Sequence, residues 1–321
     1  MSRRLKLWIG WSLAGLALLV FFVVLAFPDA KADPGLKLFL LTLLNGVTLA
    51  ALYFLVASGF TLVFGLMRNV NLAHGSLYLL GAYVGYSVAS WTGSWWLGVA
   101  AGFLGMAAVG VLLQIVIFRR MEGQDMRQTM VTIGISIVLA DIMLWIWSGN
   151  TYQFEAPEFL TGTTPLALVK VYSTYRLVLL GAAILIGLGL WLFLNRTAIG
   201  MMIRAGVDDR AMLQATGVNV HLIFACTFAL GAGLAGFAGV VGGTALSIAP
   251  GEDVRYLLAS LVVTIVGGMG SIAGAAIGAL LIGMAETFGL AYSPTYGVVY
   301  TFVIMVLVLA IRPQGLMGKA A

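Results

Sequence analysis

Charge is the scarcest commodity in this chain: only 9% of its 321 residues are Asp, Glu, Lys or Arg, against 61% hydrophobic residues. With a mean hydropathy of +1.06, the sequence cannot clothe a soluble fold in charge. There is one cysteine, Cys226, which excludes a disulfide framework and a CxxC metal site. Its place inside an apolar segment predicts an inert, buried packing role. Two histidines, His74 and His221, are too few for an evident metal centre, and neither HExxH nor GxSxG occurs. No GxxxxGK[ST] phosphate loop occurs either, so the chain offers no P-loop for hydrolysing nucleotide.

What is there instead is a series of apolar runs near 20 residues, the length that carries an α-helix across a hydrocarbon core. They are too long and too unalternating for a barrel. The reading is an all-α integral membrane protein built as one transmembrane domain over 1–321. Its net charge of +5 comes from basic residues at the ends of runs rather than in one patch, which points to topology and not to nucleic acid.

Arg3, Arg4 and Lys6 precede a first run, Leu7 to Phe27. It is a retained span or a signal peptide with a weak small-x-small site at Ala30-Lys31-Ala32. Its length exceeds a signal-peptide core and favours the span. The second run, Leu36 to about Ala57, is interrupted at Asn45-Gly46 and passes through Gly59 and Gly65 to a polar turn at Arg68, Asn69, Asn71 and His74. Further spans are expected from about Leu72 to Ala89, Leu97 to Phe118, Thr129 to Trp147 and Thr174 to Leu194, with an external loop at 148–173. A polar segment, 196–221, precedes a span from about Leu222 to Ile248. In that span Gly231, Ala235, Gly239 and Gly243 share one face and allow a neighbouring backbone to approach. Leu257 to Val266 is too short to cross, breaks at Gly267-Gly268, and is followed by Ile272 to about Thr287 and Gly297 to Ile311. Counting the short pair as two gives about ten crossings.

Sidedness follows from the basic residues. With an internal N-terminus, twelve of the 17 Lys and Arg fall inside and five (Lys31, Lys37, Lys170, Arg176, Arg255) outside. Both termini and segment 196–221 are then cytoplasmic. Within that segment Gly206 is expected to end one helix, Asp208 to cap the next, and Gly217 to stop it in the left-handed region, leaving a helix of about 12 Å. It is either a solvated connector or a helix offered to a cytoplasmic partner.

Pathway candidates come from polarity at membrane depth, which is costly and normally faces a cavity or a partner. Asp141 and Glu286 are the ionisable ones, unless neighbouring hydroxyls or the interface satisfy them. Asn45, Asn69, Asn71 and His74 flank the first expected break, and Gly267, Gly268 and Ser271 form the second. His74 serves equally well as a turn residue bonding carbonyls.

Four ordered blocks carry a resemblance: GFTLVFGLMRNVNLAHGSLYLLGAY (59–83), IRAGVDDRAMLQATGVNV (203–220), LGAGLAGFAGVVGG (230–243) and VVTIVGGMGSIAGAAIGALLIG (262–283). Together they resemble the permease subunits of bacterial branched-chain amino acid ABC importers, the LivH type, over nearly the whole chain after the first span. The resemblance implies a multi-pass subunit of the cell inner membrane that pairs with a second, homologous permease. It also implies two cytoplasmic ATPase subunits that use ATP, a periplasmic substrate-binding protein, and no cofactor bound by this chain. The loop after the middle span would be the coupling helix, carried here by Asp208, Asp209, Arg210, Leu213, Gln214 and Gly217. The wording departs from the EAA-x3-G pattern of many ABC importers, so the position transfers but individual contacts do not. Related permeases serve urea, short amides and aromatic acids as well as leucine, isoleucine and valine. The reading from another class is a stand-alone secondary transporter with broken helices at mid-membrane.

Overall fold

The computed structural model describes residues 34–67, 71–121, 123–165 and 171–318. The expected first span and the site residue Asn69 lie outside the described residues. So do the side chains of Asp208 and Arg210.

Eleven helices carry the described chain: α1 Pro34–Met67, α2 His74–Thr92, α3 Trp95–Val116, α4 Asp125–Trp147, α5 Thr174–Arg196, α6 Ala198–Asp208, α7 Arg210–Ala215, α8 Val220–Ala245, α9 Glu252–Gly267, α10 Ile272–Tyr292 and α11 Gly297–Ile311. Six described helices are long and apolar enough to cross a bilayer: α1, α3, α4, α5, α8 and α10. The loop after α4 holds a two-residue antiparallel pair, β1 Thr163–Thr164 against β2 Tyr172–Ser173. Tyr152 bridges to Ile248 through two backbone bonds of 2.9 and 2.7 Å.

Two expectations of broken helices are corrected. α1 runs unbroken through Asn45-Gly46 and Gly59 for 34 residues, about 51 Å at 1.5 Å per residue. Its glycines serve close approach rather than a break: a Cβ on Gly59 would meet the Gly231 carbonyl oxygen at 2.4 Å. α9 is not a fragment starting at Leu257. It begins at Glu252, after Gly251 at φ +90°, and its first turn is acidic, as helix N-termini favour. The polar start disguises a 16-residue helix of about 24 Å. Cys226 is corrected as well, since it lies exposed on the flank of α8.

The core gathers around α1 and α8, which cross in opposite directions: Gly59 meets Gly231 while Leu52 meets Gly242. Each then organises a helical hairpin. α1 runs parallel to α9, with Tyr53 beside Tyr256 and Thr61 Oγ1 3.0 Å from Thr264 Oγ1. It runs antiparallel to α10, with Gly46 beside Thr287 and Ala50 beside Gly283. α8 runs parallel to α2, with Gly81 against Gly236 and Gly85 against Val240. It is antiparallel to α3, where Ala232 meets Gly110 and Trp95 Nε1 donates to Thr244 Oγ1 at 2.9 Å. α1–α4 and α8–α11 are thus two inverted, interlocked halves, with α5, α6 and α7 between them. The small-residue face of α8 fills as expected: Gly239 lies against the backbone of Tyr78, and Ala235 is fully buried.

These directions sort the chain's ends. Arg119, Arg120, Arg127, Arg196, Arg204 and Arg312 gather at one end of the bundle, here the basic end. The opposite end carries segment 148–173, with exposed Trp91, Trp96 and Trp145 around it. Indoles in such a ring suit the headgroup level of a bilayer.

Candidate translocation site and coupling hairpin

At the loop end, α1, α5, α8, α9 and α10 enclose a cavity of about 430 Å³. Its polar wall comes from four elements. Glu286, 7% exposed, sits on α10 and accepts a 2.6 Å hydrogen bond from Tyr53 Oη of α1. Arg255 of α9 reaches Glu286 Oε1 at 3.3 Å and Glu252 Oε2 at 3.5 Å. A buried carboxylate needs such partners, because stripping its water costs several kcal/mol. Across the cavity Arg176 of α5 donates to Asn45 Oδ1 of α1 and lies over the Tyr172 ring. Tyr172 Oη donates to the Leu44 carbonyl at 3.0 Å and lies 2.7 Å from Thr48 Oγ1. The remaining wall includes Leu49, Leu52, Leu179, Leu246 and Leu290.

Glu286 and Asn45 are therefore brought together, and the other described residues singled out for the pathway are not. Asp141 is exposed on the outward side of α4, apart from the cavity. His74 is 1% exposed; its Nε2 donates to the Val56 carbonyl at 3.0 Å, and its ring stacks edge-on to Phe60. It clamps the start of α2 onto α1. Asn71 is a turn residue whose Oδ1 accepts from Ala73 N at 3.1 Å. Gly267, Gly268 and Ser271 form the α9–α10 turn at the basic end, not a break at depth. Gly268 adopts φ +105°, Ser271 Oγ accepts from Gly274 N, and Leu316 N and Met317 N donate to the Val266 and Gly267 carbonyls at 2.9 Å each.

Sequence reasoning missed Arg176, Glu252 and Arg255 as site residues. All three lie within a turn of a helix start, where charges read as topological markers. The available signal was the (i, i+3) pairing of Glu252 with Arg255 at the head of an apolar helix.

At the basic end, α6 and α7 form a short helical hairpin. Thr197 caps α6 by accepting from Gly200 N at 3.0 Å. α6 continues past Gly206 to Asp208, so Asp209 rather than Asp208 caps α7, its Oδ1 accepting from Met212 N at 2.9 Å. α7 has six residues, about 9 Å, shorter than expected, and Gly217 follows at φ +80°. Asn219 caps α8 by accepting from Leu222 N. Leu213 is buried with Ile203, Val220, Ile223 and Phe224, so it anchors the hairpin. Met212, Gln214 and Thr216 are exposed.

Apolar helices crossing a bilayer, a charged cavity between them at one end and an anchored polar hairpin at the other define a multi-pass membrane transport subunit. The chain belongs to the family described as branched-chain amino acid transport system, permease component, whose model matches residues 42–309. It is 30% identical over 302 residues to the high-affinity branched-chain amino acid transport system permease protein BraD of Pseudomonas aeruginosa, covering 89% of this chain and 98% of that one. It is 31% identical over 297 residues to LivH of Escherichia coli, covering 88% and 96%. Among solved structures, PsaBC from Streptococcus pneumoniae in complex with Fab is similar at a TM-score of 0.48 and 16% identity, over 84% of this chain and 91% of that one. The protein is thus an ABC importer permease subunit, a transporter component rather than a catalyst, and the family implies further ABC components as partners.

Proposed function

We propose that this chain lines the translocation pathway of an ATP-driven importer for branched-chain amino acids in a bacterial inner membrane. It does so with a second, homologous permease. The basic end faces the cytoplasm, where two ATPase subunits that bind and use ATP seat the α6–α7 hairpin. The loop end faces a periplasmic substrate-binding protein. The topology proposed is about ten crossings with both termini inside. The chain itself contributes neither a phosphate loop nor a cofactor site.

The observation that carries this reading is the hairpin. A helix of six residues is too short to hold its shape alone, yet α7 is capped at Asp209, stopped at Gly217 and pinned through Leu213. Rigidity at an exposed tip suits the passing of a motion from one subunit to another.

The test is leucine uptake into proteoliposomes holding both permeases, both ATPases and the binding protein. ATP-driven uptake is expected. Deleting 208–217, or Gly217→Arg, should abolish uptake and ATPase stimulation while membrane insertion persists. Normal uptake by an inserted deletion would overturn the coupling role. Uptake by this chain alone under an ion gradient would support a stand-alone secondary transporter, and uptake of urea, short amides or aromatic acids in place of leucine would reassign the substrate.

A further inference from the structure

We infer that the loop-end cavity is a binding site, within this single chain, for the whole zwitterion of an aliphatic α-amino acid. The inference rests on the importer reading above and goes beyond it, because it places a solute-selective site in the permease as well as in the binding protein.

Three features of the cavity converge. Its volume of about 430 Å³ falls in the range of small-molecule pockets, roughly 300–1,000 Å³. Its charges balance: Arg176 and Arg255 against Glu252 and Glu286. A neutral solute carrying both signs leaves that balance intact, whereas an anion or a cation leaves an uncompensated charge in a half-buried wall. Beside the neutral polar groups of Asn45, Thr48, Ser247 and Thr287, the lining has an aliphatic part, Leu49, Leu52, Leu179, Leu246 and Leu290, which suits a branched hydrocarbon side chain.

The charged groups are also unequally committed. Among the described residues Arg176 has no carboxylate partner; its guanidinium is held by the neutral Asn45 amide and the Tyr172 ring. A guanidinium presents a fork that matches a carboxylate, so Arg176 takes the solute carboxylate. Glu286 is engaged by the Tyr53 hydroxyl at 2.6 Å. The contact between Glu252 and Arg255, at 3.5 Å, is long and half-exposed. Glu252 can exchange it for a solute ammonium while Arg255 keeps Glu286. The solute then lies between α5 and α9 with its side chain toward α1 and α10.

The experiment uses the whole transporter, both permeases and both ATPases in nanodiscs, without binding protein. Equilibrium binding of radiolabelled leucine is measured, with 3-methylbutylamine and 4-methylpentanoate as competitors that each lack one charge. Leucine should bind, and neither competitor should displace it at tenfold its concentration. Arg176→Gln should weaken binding roughly tenfold or more, the scale of a charge-assisted hydrogen bond. Leu290→Trp, which fills the cavity from a residue 45% exposed, should do the same. Unchanged melting temperature and co-purification with the other permease and both ATPases establish that both variants are folded. If the wild type imports leucine with its binding protein but binds none without it, or if neither substitution weakens binding, the inference is overturned and the importer reading stands. If Arg176→Gln weakens capture of the binding protein and leaves leucine affinity unchanged, the wall is a protein-docking surface and the inference is equally overturned. Failure of leucine import by the wild type sinks the importer reading instead, and that result is read on a separate assay.

Discussion

Gly59 has a chemically empty side chain and a full environment: a methyl group there would press into the Gly231 carbonyl at 2.4 Å and the His74 ring at 3.2 Å. Gly189, on α5, has nothing within 4 Å. Gly59→Ala should therefore cost about 1–3 kcal/mol as overpacking of a closed crossing, and Gly189→Ala should be neutral or slightly stabilising through helix propensity. Thermal aggregation in detergent, followed by fluorescence-detected gel filtration, distinguishes the two; equal midpoints would contradict the packing described for α1 and α8. Both glycines read alike in the sequence, because what separates them is a helix more than 160 positions downstream. The site shows the same limit. Glu286 and Asn45 were legible since polarity at depth is expensive, and Asp141 was flagged by that same rule yet lies on the outside of α4. Arg176 and Arg255 lay hidden because a cation near a helix end already has a sufficient topological reason to be there.

Individual helices were more legible than their interruptions. Long apolar runs located α3, α4, α5, α8, α10 and α11 within a few residues, and Gly217 announced the end of α7. The errors came where one residue type has two physical uses. Glycine reads as a breaker in α1 but serves contact there, and the acidic start of α9 reads as loop but is a helix first turn. At α7 two adjacent aspartates compete for one cap, and Asp209 holds it. Asp209→Ala should lose about 1 kcal/mol of local stability, enough to fray a six-residue helix. ATPase stimulation should fall while leucine binding to the permease is unchanged, and Asp209→Asn, which can still accept the bond, should restore stimulation. Equal behaviour of the two variants would remove the cap from the coupling argument.

The whole molecule has two chemically distinct ends. Its sidedness is testable with Cys226 replaced by Ala and single cysteines introduced at Glu155, in the loop, and at Met212, on the hairpin, both exposed. A membrane-impermeant maleimide added to intact spheroplasts should label position 155 and spare position 212, with the reverse in inside-out vesicles. Labelling of both from one side would refute the inverted arrangement. That arrangement also bears on how the chain is made. α1 finds its largest partner in α10, whose first residue, Ile272, follows the end of α1 at Met67 by about 205 positions; α3 waits in the same way for α8. At the usual 5–20 residues per second of synthesis, α1 spends roughly 10–40 s in the membrane before that partner exists. During that time its glycine-lined flank is open to lipid or to whatever chaperone attends the translocon. Biogenesis of this subunit is therefore governed by its second half, and a chain stalled after α5 leaves the flank of α1 that α8 and α10 would cover open as a substrate for membrane proteases.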